Sequence, residues 1–372
     1  MTDSDDVPGR PGGSELASKL TTLRESIAAR RLGGIRLRRH DWFAWATCGG
    51  SNSVLATAVR GVAEVFVTRD EAVVLADTID GGRLREEEVP VELAVVAFAW
   101  ARPGERERFV RAAARGRPVA SDLPGDGELA LPPRLWAARR TLQQAERDRY
   151  RCLGREAAEA ATEALSRAAP EDSERDLAAS AAAALWRRGI DPALVLVGGE
   201  RRALRYRHPT PTAEPLGARA MLVLCGRRHG LYANLTRFVA FRPPTAEERR
   251  LARAVADVEA AAFAASSPDR TLGDAFAAIV AAYELGGYGG AEREHHQGGL
   301  SGYLSREVLA VPGSRVRLQP WSALAWNPSL PGVKVEDTVL VAEGGLEVLT
   351  CDPAWPIIDV AGRPRPDVLV RG

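Results

Sequence analysis

Lysine is nearly absent. Of 50 basic side chains in 372 residues, only Lys19 and Lys334 are lysine, and the rest are arginine. Abundant alanine and arginine mark a high-GC coding bias, so a single arginine carries little information and Lys334 carries more. Cysteine is scarce as well: Cys48, Cys152, Cys225 and Cys351 are far apart and form no CxxC pair. That argues against a structural zinc site and gives a disulfide framework no pattern. No apolar run approaches the roughly 20 residues of a spanning helix. The N-terminal MTDSDDVPGRPGGS is acidic and rich in Gly and Pro, unlike a basic-then-apolar secretory leader, so a cytoplasmic protein without membrane contact is expected. Excess charge is missing too. A net charge of +1 gives no bulk electrostatic reason to expect nucleic acid or an anionic surface as partner.

What is present is a globular composition, 45% apolar and 27% charged. The length favours two domains. Residues 1–14 read as a disordered tail. Residues 15–34 have helical spacing and close on Gly33-Gly34, which predicts a C-cap there. The runs IRLR, VAEVFVT, AVVLA and LAVVAFAW, with a helical patch over 105–116, predict an α/β domain spanning 15–131. From 132 the texture changes. One long helix over 132–168 opens on proline, and helices follow over 173–189, 245–267 and 272–286. ALVLVGG, ALRYRHP, AMLVLCGRRHGLYANLTRFVAF and VRLQPWSALAW read as strands between them. DTVLVAEGGLEVLT reads as a hairpin turning at Glu343-Gly344-Gly345. Residues 132–372 are thus expected to form an α+β domain of long helices over an antiparallel sheet.

Five histidines exist: His40, His208, His229, His295 and His296. Imidazole titrates near neutrality, which makes them the first candidates for proton transfer. His40 is expected to be structural, and His229 sits in the turn of CGRRHGLY. The densest stretch is HHQGGLSGYLSRE, residues 295–307, where two imidazoles precede a glycine pair, Tyr303 and Arg306-Glu307. Gly298-Gly299 is expected to supply positive φ or a close backbone approach. Cys225 is expected to be an inert buried thiol.

LYANLTRF (231–238), followed by GVKVEDTVLV (332–341), resembles the creatinase / aminopeptidase P / methionine aminopeptidase superfamily. Members carry Asp-Ile-Thr-Arg at the first position and a Glu-Asp-Thr strand at the second. The order His-Pro, strand turn, two helices, His loop and final hairpin extends the likeness from about residue 15 onward. It implies a pita-bread C-terminal domain, a smaller creatinase/prolidase-type N-terminal domain, and a homodimer. In the metal-dependent members two Asp, one His and two Glu hold two divalent ions. The corresponding positions here are Val223, Asn234, His295, Asn327 and Glu336. Valine cannot ligate, and two carboxamides withdraw two charges, so no metal and no other cofactor is expected.

The His loop looks more like the metal-free, creatinase-like branch. That likeness makes His208, in YRHPTP, the acid/base on a scissile C–N bond, with His295 or His296 polarising the carbonyl. Arg306 takes the place of an arginine that grips a substrate carboxylate, and Tyr303 falls in register. Creatinase's two guanidinium-holding glutamates fall at Thr236 and Asn327, so an uncharged amide, lactam or ureido group is expected instead. Asn234, Asn327 and Gln297 can donate to it and accept from it. Lys334 lies two residues before Glu336 and shares its strand face, where it is expected to act as a substitute cation. The expected function is a hydrolase, or a related lyase or cyclase, acting on a C–N bond of a small amino-acid-like molecule. One alternative is a catalytically inactive member that binds peptide or protein, with Trp321 and Trp326 filling the cleft. The other is a metal-dependent Xaa-Pro aminopeptidase or dipeptidase.

Overall fold

A computed structural model describes residues 13–371 of the protein. Most of the tail expected over 1–14 lies outside the described residues; Gly13 and Ser14 belong to a helix, Gly13–Arg30. The chain forms two compact units that divide between Arg149 and Tyr150.

In the first unit β1 (Gly34–Arg39), β2 (Arg60–Val67), β3 (Ala72–Asp77), β4 (Ala94–Phe98), β5 (Val119–Ser121) and β6 (Leu129–Ala130) form one sheet in the order β4-β3-β2-β1-β5-β6. Each predicted strand run of this region forms a strand. The first helix stops before the glycine pair, because Arg31 takes the left-handed conformation at φ 53. Gly33 and Gly34 serve packing instead. A Cβ on Gly33 would stand 2.5 Å from the Ala114 carbonyl oxygen, and one on Gly34 would stand 2.6 Å from the Phe66 ring. Lys19 is fully buried between Glu15 (2.7 Å) and Glu146 (2.8 Å). Both ring nitrogens of His40 are engaged, with Asn52 Oδ1 at 2.8 Å and the Ala58 carbonyl at 2.6 Å, which makes it a structural clip.

The single helix expected over 132–168 is two helices, Pro133–Arg139 and Gln144–Arg167. The Gln143 N–H donates to Glu146 Oε2 at 2.7 Å, so it caps a new helix instead of extending the old one. In the second unit the helices Glu174–Trp186, Ala246–Ala264 and Leu272–Leu285 each open on a capping box, from Ser173, Thr245 and Thr271 respectively. The strands are β7 (Asp191–Gly199), β8 (Arg219–Arg228), β9 (Leu231–Ala240), β10 (Gly298–Ser301), β11 (Val308–Leu309), β12 (Ala323–Trp326), β13 (Ser329–Leu330), β14 (Val333–Lys334), β15 (Asp337–Ala342), β16 (Gly345–Val348), β17 (Ile357–Val360), β18 (Arg363–Pro366) and β19 (Leu369–Val370). They build two main sheets, the four-stranded β19-β9-β8-β7 and the five-stranded β11-β10-β12-β15-β16, with β13-β14 and β17-β18 as separate pairs. The fold is α+β. No helix among the described residues is long and apolar enough to cross a membrane.

ALRYRHP is not a strand. The Arg205 and Tyr206 N–H groups both bond the Arg202 carbonyl, at 3.1 and 2.9 Å, so this backbone satisfies itself locally. Of VRLQPWSALAW only Ala323–Trp326 is a strand. β8 and β9 turn at His229 (φ 52) and Gly230 (φ 77), a pair of left-handed residues that fits the twist of a two-residue hairpin. The hairpin expected in DTVLVAEGGLEVLT, β15–β16, turns at Glu343-Gly344, with Ala342 opposite Gly345.

The two sheets meet along β9 and β15. A single bridge joins Thr236 to Glu336, with the Thr236 N–H donating to the Glu336 carbonyl at 3.0 Å. Beside it the Thr338 hydroxyl accepts from the Asn234 N–H (2.8 Å) and donates to the Asn234 carbonyl (3.0 Å), standing in for ladder bonds. The helices Ala246–Ala264 and Leu272–Leu285 cover the five-stranded sheet over a core that includes Phe263, Ile279, Tyr283, Leu324 and Trp326.

Candidate active site

Two segments bring the imidazoles together. His208 lies in the loop after β7, and His295-His296 immediately precede β10. An ion pair between Arg207 and Glu294, each adjacent to one of these segments, ties them to each other. His295 Nε2 stands 2.9 Å from His208 Nε2, so one ring donates and the other accepts. The His295 and His296 rings stack at 4.4 Å. His295 is buried, His296 half-buried and His208 exposed. Burial lowers the pKa of all three, and the positive charge of Lys334 adds to it. His295 is pushed down to about 3 and His296 to about 4, so both are neutral near pH 7.

Gln297 fixes the loop. Its amide Nε2 donates to the His295 carbonyl (2.6 Å) and its Oε1 accepts from the Tyr283 hydroxyl (3.1 Å). The side chain is fully buried, so its amide orients the imidazole segment and does not face solvent. Gly298 and Gly299 have φ of 109 and 149, and a Cβ on either would stand 2.1 or 2.2 Å from a neighbouring strand's carbonyl oxygen. Both reasons expected for the glycine pair are present.

Glu336 is the surviving carboxylate, and its oxygens are occupied. Oε1 accepts from Arg306 Nη2 at 2.7 Å; Oε2 accepts from Lys334 Nζ and from Thr236 Oγ1, both at 2.9 Å. Burial alone would raise its pKa, but Lys334 and Arg306 outweigh that and hold it far below the usual carboxylate range. The expected sharing of a face by Lys334 and Glu336 is met.

Register explains the rest. Val223 pairs with Thr236 and Cys225 with Asn234, so all four side chains share one face of the β8–β9 hairpin. Val223 belongs to an apolar cluster with Leu196, Met221 and Phe238. Asn234 accepts from Cys225 Sγ at 3.0 Å and donates to Ser301 Oγ at 3.1 Å, so its amide is satisfied inside the protein. Burial pushes the Cys225 thiol up to about 12, which removes it as a nucleophile. Tyr303 is buried in the turn after β10. Asn327 is 2% exposed; its N–H bonds the Gln297 carbonyl at 3.1 Å and its Oδ1 has no partner. The Trp326 indole lies in the helix-side core and donates to Ser266 Oγ at 3.0 Å.

The five positions of a dinuclear ion centre do not fit metal here. Val223 offers no donor, the Asn234 amide is spent, and the Glu336 oxygens hold an ammonium and a guanidinium. Two divalent ions need several free carboxylates to offset their charge. Sequence reasoning missed the Arg207–Glu294 clamp and the Thr236 hydroxyl on Glu336. A signal for the clamp exists, since a charge of opposite sign directly precedes each imidazole segment.

The sequence profile described as "Metallopeptidase family M24" matches residues 148–343. The protein named Agropine synthesis cyclase, from Rhizobium rhizogenes, is 32% identical over 143 residues, and the match spans 36% of this chain and 36% of that relative. Among solved structures, the prolidase from Pyrococcus horikoshii OT3 superposes with a TM-score of 0.76 at 16% identity, covering 90% of this chain and 98% of that one. The Xaa-Pro dipeptidase from Bacillus anthracis gives 0.75 at 17% identity, over 96% and 100% of the two chains. The N-terminal domain of the FACT complex subunit SPT16 from Cicer arietinum gives 0.68 at 10% identity, over 91% and 96%. Identities this low establish a common fold alone.

Proposed function

Because the chain belongs to metallopeptidase family M24 yet has its carboxylate set dismantled, we propose that it is a metal-independent, creatinase-like hydrolase, or a related lyase or cyclase, acting on a C–N bond of a small amino-acid-like molecule. One observation carries the reading. Glu336 is neutralised by Lys334 at 2.9 Å and Arg306 at 2.7 Å, beside two imidazoles kept neutral by burial and a third, His208, whose pKa is lowered. In this mechanism neutral His208 takes a proton from the attacking nucleophile and returns it to the leaving nitrogen, sharing it with His295 across their 2.9 Å contact. Two cations against one carboxylate leave one positive charge in excess, which suits a substrate carboxylate and the oxyanion that develops at the carbonyl. The unpartnered Asn327 Oδ1 is an acceptor for a substrate N–H. The likeness to a protein named as a cyclase supports keeping ring closure within the reading. A homodimer in the cytoplasm, acting on a small amino-acid-like or peptide substrate, belongs to the same proposal.

The test uses chain stripped with chelator and a panel of N-acyl amino acids, N-carbamoyl amino acids, lactam acids and Xaa-Pro dipeptides. Turnover without added metal, lost in His208→Ala, is expected. Turnover that appears only with added manganese or zinc would restore the metallopeptidase reading.

One observation favours a second reading, an inactive member that binds peptide or protein. Among the described residues no carboxylate bonds any of the three imidazoles, whereas catalytic histidines are usually held by one. Binding of panel compounds without any turnover would select it.

A further inference from the structure

His208, His295 and His296 offer one ring nitrogen each within 4.8 Å of one another, the one histidine-rich group of this kind among the described residues. We propose that these three imidazoles form an exchangeable site for a single nitrogen-seeking transition-metal ion such as zinc, nickel or copper. The site shares only His295 with the carboxylate-rich set that does not fit metal. His208 and His296 have no place in that set.

Geometry comes first. A zinc ion about 2.0–2.1 Å from each nitrogen needs those nitrogens a little over 3 Å apart. The observed 2.9 Å between His208 and His295 has to open slightly, and the wider separations, up to 4.8 Å, have to close by rotating the exposed His208 ring and turning the half-buried His296 ring out of its stack on His295.

Charge then sets the selectivity. Lys334 and Arg306 against Glu336 leave one positive charge in excess beside the rings. Hard ions such as magnesium and manganese, which need carboxylate oxygens to offset them, are rejected. Ions that gain from imidazole coordination tolerate the charge better. Affinity is also held down because the buried Nδ1 atoms of His295 and His296 lack partners. Metal-bound imidazoles normally donate their second N–H, and losing such a partner costs roughly 10–100-fold in affinity. The ion therefore comes and goes. On the reaction proposed above, it takes the lone pairs that proton transfer uses, so it inhibits.

Calorimetric titration of the full, chelator-stripped chain with zinc, and cobalt titration followed by visible absorption, test this without any substrate. Failure here would leave the proposed reaction standing. One equivalent of zinc or cobalt per chain is expected, with no heat from manganese or magnesium. Binding should be lost in His208→Ala and, separately, in His296→Ala. Lys334→Met should tighten it roughly tenfold by removing one repelling charge. No stoichiometric zinc binding, binding that survives both histidine substitutions, or two equivalents of manganese would overturn the proposal.

Discussion

Lys334 Nζ lies 2.9 Å from Glu336 Oε2, and both side chains are buried, 5% and 3% exposed. The chain thus supplies its own counter-charge where relatives of the family are expected to hold ions. Glu336→Gln would leave Lys334 and Arg306 facing each other in a buried site without an anion. Removing one side of such a pair costs about 3–5 kcal/mol. Urea unfolding should show that loss for Glu336→Gln and a smaller one for Lys334→Met, which leaves Arg306 in place. Equal stability of all three proteins would contradict the pairing.

On the proposed mechanism turnover depends on the base form of His208, whose pKa lies below the ordinary value near 6.5 through burial and the charge of Lys334. Activity should therefore persist at pH values where an unperturbed imidazole is half protonated, and fall only further into acid. His208→Ala should lower kcat/KM by about 10²–10⁴-fold across the profile. A profile whose acid limb lies at or above pH 6.5 would count against His208.

Stability should also respond to acid. The three imidazoles resist protonation in the folded chain, so the unfolded chain binds more protons. Their contribution is intact above about pH 6.5, the unfolded value, and is lost as pH falls through the folded values, about 4 for His296 and about 3 for His295. Glu336 acts in the same direction lower down, since its folded pKa is also depressed. Unfolding midpoints measured between pH 7 and 4 should decline, and His296→Gln should flatten the upper part of that decline.

Restoring one carboxylate does not restore a dinuclear centre. Asn234→Asp should bind no more manganese than the parent chain, because the oxygens of Glu336 stay occupied and Val223 stays apolar. It should also be less stable, since Cys225 and Ser301 offer dipoles but no positive charge to a buried carboxylate. Equilibrium dialysis with metal analysis measures the first outcome and urea unfolding the second.

The motifs around Asn234 and Glu336 were readable by their resemblance to the superfamily, and the shared face of Lys334 and Glu336 by strand alternation, which local spacing carries. The helices over 173–189, 245–267 and 272–286 were readable from local spacing as well. What escaped was non-local. His208 and His295 are 87 residues apart and no period links them: the resemblance put both at one site, but their direct 2.9 Å contact was not foreseen. Gln297 reads as a polar loop residue, yet its amide is committed to Tyr283 and to the backbone beside it. ALRYRHP has the apolar alternation of a strand and is a turn, because its N–H groups bond the nearest carbonyl before any partner strand is reached. The break in the helix over 132–168 turned on one side chain, Glu146, reaching back to Gln143.

Tyr283 sits on the helix Leu272–Leu285, and its hydroxyl reaches Gln297, which in turn holds the His295 carbonyl. The orientation of the imidazoles is thereby inherited from a helix that carries none of them. Substitutions that reshape the apolar layer around Tyr283 would therefore shift the imidazoles from beneath, a control point that leaves the three histidines themselves unchanged.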